Sequence, residues 1–404
     1  MVSGPLAGVR VLDLSRLLPG AVCTLHLADL DADVVKVEDT GRGDYARSLG
    51  IAAEEAGSPP RERVSALYRM VNRNKRSLAL DLKAVAGRDA FLRLAQRADV
   101  IVESFRPGVT DRLGVGYADV APIHPRLVYC SITGYGQTGP YRDRPGHDIN
   151  YLGYAGVLDQ TGTADGAPAL SNLPVADLLG GAMNASTAIL AALFGASRTS
   201  RGAHIDIAMT DGALAHNIFA LHAIETTGHA QPRGRDLLTG GVPCYGVYAT
   251  QDGRHLAVGA LEEKFWRTLC ESLRRPDLVS RRLATGRDGD AVRQELAAIF
   301  ARRPQSYWAE RLAAVACCVT PILSPDEALA DAQVGARGMV VTAPDGSRQY
   351  APPFRLGGHE FAMARTAPAQ GEHSSEVLRE AGFSADEVSA LASARTIVEP
   401  GRPG

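Results

Sequence analysis

The sequence predicts an α/β fold with a parallel sheet up to about residue 226, together with a smaller α+β domain. In the first part, short β-branched and apolar runs alternate with helical segments, a pattern typical of parallel sheets covered by helices. After about Gly240 the pattern changes to a hairpin followed by helices. The chain of 404 residues also exceeds one ordinary core, which favours two domains.

The first part opens with a β-α-β unit. Val9 to Leu14 is a strand-like run, a Pro19-Gly20 break leads into a helical stretch, and a second apolar run begins at Val34. The alternation continues as far as a helix from Asp211 to Thr226. The predicted strands are 9–14, 34–37, 77–82, 99–102, 126–132 and 203–208, and the predicted helices are 21–30, 85–97, 176–196 and 211–226.

The second part opens with a hairpin. Asp252-Gly253, a strong turn signal, lies between two β-rich runs, 243–250 and 254–260. Helices are predicted to follow at 263–272, 288–302 and 304–316. Beyond them the sequence predicts a capped helix start at 324–327, a strand at 338–342 and two helices within 371–394, the second with a capping box at 384–387.

Composition and charge favour small-molecule chemistry in the cytoplasm. With 43 basic and 45 acidic residues, the net charge of −2 gives no reason to expect nucleic acid or an anionic membrane as a partner. The six cysteines show no C-x-x-C spacing, so neither a zinc site nor a disulfide framework is predicted. The N-terminus lacks the regions of a signal peptide. Val175 to Ala196 is apolar, but its many small residues favour a closely packed internal helix over a membrane span.

One glycine motif resembles a dinucleotide site. Gly134 to Gly139 fits the G-x-G-x-x-G pattern and follows a predicted strand, but Pro140 to Gly146 then prolong a loop. No helix N-terminus can therefore point at a pyrophosphate. We interpret these glycines as turn residues, in a loop that could form a flexible wall over a ligand.

Three cationic segments, 73–76, 81–83 and 105–107, lie in the N-terminal half. Ligands of open α/β sheets gather outside the carboxyl ends of the strands, and cations there suit a phosphorylated cofactor. A solvated charged face explains the same segments equally well, and the pattern leaves both interpretations open.

Two titratable residues at predicted helix starts are candidates for proton transfer. His147 precedes an apolar helix, and Asp177 opens the long helix 176–196. An imidazole and a carboxylate can share such a task, because one is unprotonated while the other holds the proton. Structural explanations also exist: Asp148 could cap the first helix, and acids such as Asp177 and Glu262 stabilise helix starts.

Ordered motifs extend over most of the chain, from about Gly4 to Ala394. They are 8–15 (GVRVLDLS), 27–30 (LADL), 32–38 (ADVVKVE), 43–47 (GDYAR), 73–77 (RNKRS), 146–151 (GHDINY), 176–177 (AD), 240–243 (GGVP) and 259–262 (GALE). Together they resemble the family III CoA-transferase superfamily, of CaiB/BaiF type. The last four resemble its α-methylacyl-CoA racemase branch.

The resemblance implies an interlocked homodimer. Residues 1–225 would form a Rossmann-like large domain that binds CoA, 226–335 a small α+β domain with its linkers, and 336–404 the C-terminal return to the large domain. The active site would lie between the large domain of one chain and the small domain of the other.

The resemblance also implies site residues. His147 and Asp177 would be the two bases, and Glu262 the acid that supports the imidazole. Coenzyme A, present only as part of an acyl-CoA substrate, would contact a set of residues along the large domain. They are Leu80, Asp81, Leu82, Lys83, Ser104, Phe105, Arg106, Arg112, Gly146, Asp148, Ile149, Asn150 and Tyr151. No metal and no permanently bound cofactor is implied.

The implied activity is racemisation of the α-carbon of a 2-methylacyl-CoA. The alternative is transfer of CoA between carboxylic acids, with Asp177 as nucleophile, and a third possibility is a CoA-thioester binding protein without catalysis. The transferases usually carry several glycines where this chain has Gly259 to Glu262, which favours racemisation. Two departures from the branch stand out: Glu38-Asp39-Thr40 replaces a basic residue, which Arg42 or Arg47 could supply, and 314–318 lacks a usual acid.

Overall fold

The computed structural model describes residues 4–50 and 64–400, which divide into two compact units. The first unit gathers described residues from 1–155, 173–216 and 336–404, and the second gathers 156–172 and 217–335. Segments 156–172 and 217–225, which the resemblance assigns to the large domain, are grouped with the second unit.

Twelve strands lie within the described residues. They are β1 (Arg10–Asp13), β2 (Asp33–Glu38), β3 (Lys75–Leu80), β4 (Val100–Glu103), β5 (Val128–Thr133), β6 (Ala203–Ala208), β7 (Tyr245–Ala249), β8 (His255–Gly259), β9 (Val319–Pro321), β10 (Val340–Thr342), β11 (Arg348–Tyr350) and β12 (Ile397–Val398).

The first unit is built on a seven-stranded sheet in the order β12-β3-β2-β1-β4-β5-β6. All neighbours pair in parallel except β12, which is antiparallel to β3. The order 3-2-1-4-5-6 is that of doubly wound nucleotide-binding folds, which bind ligands where the order reverses, here between β1 and β4. The predicted α/β fold with a parallel sheet is thus confirmed.

Seventeen α-helices lie within the described residues, besides 3₁₀ turns at Tyr45–Ser48 and Pro276–Arg281 and a π-helical segment at Ala176–Met183. They are α1 (Pro19–Ala28), α2 (Ala66–Asn72), α3 (Val85–Ala95), α4 (Val109–Leu113), α5 (Tyr117–Val120), α6 (Asp148–Tyr154), α7 (Val157–Gln160), α8 (Asn184–Thr199), α9 (Met209–His216), α10 (Ile218–Thr227), α11 (Glu263–Ser272), α12 (Gly286–Phe300), α13 (Gln305–Leu312), α14 (Pro325–Leu329), α15 (Ala332–Ala336), α16 (Ser374–Glu380) and α17 (Ala385–Ser393).

Two predicted helices differ from the observed ones. The helix predicted at 176–196 begins with the π-helical segment before continuing as α8 to Thr199. The helix predicted at 211–226 is divided at Asn217, whose backbone angles of −82° and 49° are not helical, into α9 and α10. The division falls where the first unit gives way to the second.

The main core of the first unit lies between the sheet and the helices α3, α16 and α17. Phe91 and Leu378 are fully buried there against strand residues such as Leu12 and Leu80. Each such side chain contributes about 1.5–3 kcal/mol through burial. C-terminal residues thus complete a core begun by N-terminal ones.

The cationic segment 73–76 is structural. It lies at the beginning of β3, away from the carboxyl ends where ligands gather, and Arg73, Lys75 and Arg76 are at most 4% exposed. Arg73 pairs with Asp29 at 2.5 Å and Lys75 with Asp13 at 3.1 Å. A phosphate site at this segment, one of the two interpretations left open by the sequence, is therefore wrong.

The second unit contains the antiparallel sheet β7-β8-β9. The predicted hairpin is confirmed, with Tyr245 paired to Gly259 and Ala249 to His255. Trp266, Phe300 and Trp308 from α11, α12 and α13 form its core. Glu263–Ser272 has the predicted bounds.

The run Ala176–Thr199 is long and apolar enough to cross a membrane by length and composition, with a mean hydropathy of 1.5. A third of its most apolar window, 33%, is buried within the chain. Gly180 and Ile189 are buried along this run, but Met183, Leu190 and Phe194 are 37–65% exposed. The predicted close internal packing is therefore correct for only part of the surface of this helix.

Candidate active site

A cavity of about 720 Å³ opens at the carboxyl ends of the parallel strands, where the sheet order reverses. Arg16 and Leu17 follow β1, and Ser104 to Pro107 follow β4, so the two loops at the reversal point form adjoining walls. The backbone N–H of Arg16 donates to Ser104 Oγ at 3.1 Å and joins these walls. This is the position that the strand order predicts for a ligand.

His147 lines the cavity at the beginning of α6. It is the residue before the first helical turn, and its backbone N–H donates to Asn150 Oδ1 at 3.0 Å. The imidazole is exposed. The helix start thus fixes the backbone of His147 and leaves its ring accessible from the cavity.

Asp177 lines the same cavity and is half-buried in the first turn of the π-helical segment. Its backbone N–H donates to Asp148 Oδ1 at 3.0 Å, which ties the start of this segment to the start of α6. Asp148 therefore does not cap α6; His147 occupies the cap position. Burial, and then the charge of Asp148, raise the pKa of the Asp177 carboxyl to about 6.

The loop after β5 forms another wall, as its glycine content predicts. Gly134 lines the cavity, and a Cβ there would lie 2.3 Å from the ring of Tyr151. Tyr151 in turn donates its hydroxyl to the Gly146 carbonyl at 2.5 Å and packs edge-on against Tyr135 at 5.2 Å. Glycine at 134 is thus required for the aromatic packing that supports the His147 segment.

Four arginines line the cavity: Arg16, Arg106, Arg142 and Arg144. Only Arg106 belongs to the predicted set. Arg16 pairs with Asp39 at 3.0 Å and stacks 5.4 Å from the Phe105 ring, while Arg144 stacks 3.9 Å from the Tyr141 ring. The sequence places Arg16 just after the first strand. That position indicates a ligand contact only once the strand order is known.

Of the two predicted substitutes for a basic residue near Asp39, Arg42 and Arg47, the second needs revision. Arg47 is 5% exposed, and its guanidinium binds the Glu38 carboxylate at 2.8 and 2.6 Å. It is therefore a buried structural residue. Arg16, whose guanidinium lies beside Asp39, supplies the cation at this wall.

The cavity brings together eight of the sixteen predicted site residues, namely His147, Asp177, Ser104, Phe105, Arg106, Gly146, Asn150 and Tyr151. The others lie outside its lining: Leu80, Asp81, Leu82, Lys83, Arg112, Asp148, Ile149 and Glu262. Leu80 is 1% exposed, so its side chain belongs to the core. Lys83 and Arg112 are exposed after β3 and in α4.

Glu262 lies in the second unit, exposed at the position before α11. That unit has a cavity of its own, of about 780 Å³, lined among others by Gly240, Gly259 and Cys318. The motifs 240–243 and 259–262 thus each contribute a residue to the lining of this cavity.

All six cysteines are free thiols, and Cys318 is the exposed one. Within residues 4–50 and 64–400, no group of three or more His, Cys, Asp or Glu side chains is placed to hold a metal ion.

Known proteins resemble the chain over nearly its whole length. Alpha-methylacyl-CoA racemase of Mus musculus is 35% identical over 398 residues, covering 97% of each chain. Succinate–glutarate CoA-transferase of Agrobacterium fabrum is 36% identical, covering 93% of this chain and 95% of its own. Acetyl-CoA:oxalate CoA-transferase of Acetobacter aceti is 32% identical, covering 95% and 97%.

A solved structure has the same fold. The crystal structure of a CAIB/BAIF family protein from Brucella suis superposes with a TM-score of 0.80 at 30% identity, covering 94% of this chain and 100% of that one. The family model described as CoA-transferase family III matches residues 6–374. The chain therefore belongs to CoA-transferase family III, and the resemblance drawn from its motifs is confirmed.

Proposed function

We propose that the protein racemises the α-carbon of a 2-methylacyl-CoA by two-base proton transfer. The observation that carries this proposal is that an exposed imidazole, His147, and a carboxyl of raised pKa, Asp177, line one cavity. A 1,1-proton transfer requires one group that accepts a proton and a second group that donates one within the same site. The relatives named above include one racemase and two CoA transferases, so the choice between the two activities is part of the proposal.

In the proposed reaction, one base removes the α-proton and the C–H electrons pass into the thioester carbonyl, which gives an enolate. The other group then donates a proton to the opposite face of the α-carbon. His147 and Asp177 exchange these roles between the two configurations. After one turnover the pair holds the same number of protons, so the step balances without a metal or a co-reactant.

The enolate oxygen requires hydrogen-bond donors. The backbone N–H of Asp177 is already bound to Asp148 Oδ1 at 3.0 Å. At the start of α6, Asn150 lines the cavity, and its side-chain NH₂ group can donate while its Oδ1 accepts the His147 N–H. We assign this task to that group.

Coenzyme A would supply the binding energy that positions the acyl group. The arginines Arg16, Arg106, Arg142 and Arg144 line the cavity and match the phosphates of this ligand in charge. Lys83 and Arg112 lie outside the lining and are proposed as outer contacts.

The proposal includes a homodimer in which Glu262 of one chain supports His147 of the other. Helix α10 supports the dimer, because Ile218, Phe219, Leu221 and Ile224 are 42–64% exposed within its ten residues. An apolar surface of this kind favours association with another chain.

The alternative is CoA transfer, in which Asp177 attacks the thioester to form a mixed anhydride and then an enzyme-bound thioester. Asp177 serves both activities. His147 is required only for racemisation, which makes it the residue that separates them.

The decisive experiment incubates the protein with a 2-methylacyl-CoA in deuterated water, with and without an acceptor acid. Racemisation gives deuterium at the α-carbon without acceptor, and His147→Gln and Asp177→Asn should each reduce this exchange by about 10²-fold or more. CoA transfer that requires the acceptor, is lost in Asp177→Asn and persists in His147→Gln would establish the alternative. If neither reaction occurs while the substrate binds, the chain is a binding protein.

A further inference from the structure

Strand β4 ends in a buried carboxylate that lies behind the cavity wall. Glu103 is 3% exposed, and its Oε2 accepts a hydrogen bond from the Phe105 N–H at 2.8 Å. The next three residues, Ser104, Phe105 and Arg106, line the cavity, and Glu103 itself does not. The carboxylate thus sets the turn by which the chain leaves the sheet and enters the site.

Glu103 is connected across the sheet to the next two strands. It pairs in register with Ser131 on β5, whose hydroxyl is hydrogen-bonded to it. Ser131 Oγ lies 3.2 Å from His204 Nε2 on β6, and the Tyr117 ring stacks on His204 at 4.7 Å. The side chains of Glu103, Ser131 and His204 thus form one polar path across the neighbouring strands β4, β5 and β6.

We propose that Glu103 is a positioning residue for coenzyme A, whose carboxylate holds the Ser104–Arg106 loop in its ligand-binding shape through this path to His204. The inference rests on the proposed function, because it takes the cavity to bind CoA. Glu103 acts through the Phe105 N–H and touches no ligand.

Glu103, Ser131 and His204 can all remain hydrogen-bonded to one another whether Glu103 is ionised or protonated. When Glu103 is ionised, it accepts from the Phe105 N–H and the Ser131 hydroxyl, and Ser131 accepts from His204 Nε2–H. When Glu103 is protonated, the hydroxyls reverse: Glu103 donates to Ser131, and Ser131 donates to an unprotonated Nε2. An ionised acceptor binds an N–H about twice as strongly as a neutral one, so the loop is held more firmly when Glu103 is ionised.

The groups around Glu103 place its change between the protonated and the ionised form near neutral pH. Burial raises the pKa of Glu103 to about 7 against the hydrogen bonds from Ser131 and the Phe105 N–H. The charges of Asp111 on α4 and Asp206 on β6 are smaller contributions to this rise, and Tyr129 on β5 also interacts with Glu103. Burial lowers the pKa of His204, which favours the neutral ring that the path requires.

The test compares CoA binding by the wild type and by Glu103→Gln, using calorimetry across pH. Glutamine keeps an oxygen for the Phe105 N–H but cannot ionise. We expect Kd for CoA and KM for the acyl-CoA to rise about three- to tenfold at a pH of about 8.5, with kcat unchanged. At a pH of about 6 the two proteins should converge, because the wild-type carboxyl is then largely protonated. CoA phosphate groups also titrate in this range, and the ratio of the two Kd values cancels that contribution.

Asp386→Asn is the matched control, since it removes an exposed carboxylate of the same unit and should leave Kd unchanged. If Glu103→Gln does not fold, Ser131→Ala replaces it. That variant removes a hydrogen bond that lowers the pKa of Glu103, so this pKa should rise. As the pH is lowered, the affinity of Ser131→Ala for CoA should therefore begin to fall at a higher pH than that of the wild type.

Equal Kd values for wild type and a folded Glu103→Gln at the higher pH would overturn the proposal, as would a lower kcat with unchanged KM. Failure of the proposed function has a different signature. A wild type that binds CoA without α-proton exchange overturns racemisation alone, and a wild type that binds no CoA overturns both.

Discussion

Among single residues, Asp148 connects the two candidate bases without lining the cavity. Its Oδ1 accepts the Asp177 N–H at 3.0 Å, and its charge is the second cause, after burial, of the raised pKa of Asp177. Asp148, the residue next to His147 in the sequence, thus helps to raise the pKa of the Asp177 carboxyl. The Asp148 carboxylate thus joins the start of α6 to the start of the π-helical segment by a hydrogen bond.

Asp148→Asn should therefore extend activity to lower pH. The asparagine oxygen can still accept the Asp177 N–H, but the lost charge lets the pKa of Asp177 fall from about 6 toward its ordinary value. The reactive pair holds one proton, so the acid limb of kcat/KM should move down by as much as about one pH unit. Rates of α-deuterium exchange across pH measure this shift. Asp143→Asn, which removes an exposed carboxylate from the loop before α6, should leave the limb in place, and an unmoved limb in Asp148→Asn would contradict the prediction.

Sequence reasoning located residues whose local position carries the signal. His147 and Asp177 were found as helix-start residues, and both line the cavity. Arg16 was missed because its role depends on β1 lying beside β4, a neighbour fixed by strand pairing. Arg47 was considered as a substitute cation because burial and its pairing with Glu38 cannot be read from composition.

Among the elements, the π-helical segment that carries Asp177 is held by close backbone packing on α9. A Cβ at Gly180 would lie 2.5 Å from the Met209 carbonyl oxygen, and one at Gly212 would lie 2.5 Å from the Gly180 Cα. Single π-helical turns within helices occur frequently at functional sites. The sequence predicted a helix here, but its turn geometry depends on this contact with α9 and not on composition.

Gly180→Ala should displace the segment and lower both stability and turnover. Overpacking of this kind costs about 1–3 kcal/mol, and movement of the Asp177 carboxyl adds a loss of kcat. Thermal unfolding and exchange kinetics measure the two effects. Gly195→Ala is the matched control: it lies in α8 with no atom within 4 Å of its added Cβ, and it should stabilise the protein by about 0.5–1 kcal/mol. Equal behaviour of the two variants would show that the glycine contact does not position Asp177.

At the scale of the whole molecule, the exposed apolar residues of α10 predict association. A homodimer should elute in light-scattering chromatography at twice the chain mass of 42.7 kDa. The double variant Ile218→Glu with Leu221→Glu should shift it toward the monomer and lower activity with it, because charges disrupt an apolar interface. Val85→Glu, a 65% exposed position in α3, should leave the dimer intact. A wild type that remains monomeric at high concentration would refute the predicted dimer.

The pairing of β12 with β3 also bears on how the protein is made. Ile397 and Val398 cover one edge of the main sheet by pairing with Leu80 and Ala79. A ribosome adds about 5–20 residues per second, so β3 emerges many seconds before the strand that covers it. During that interval the nascent chain exposes an unpaired apolar edge, the kind of surface on which chains aggregate. Expression of this protein should therefore depend on chaperone capacity, and truncations that remove β12 should yield inclusion bodies even though they spare every residue of the cavity.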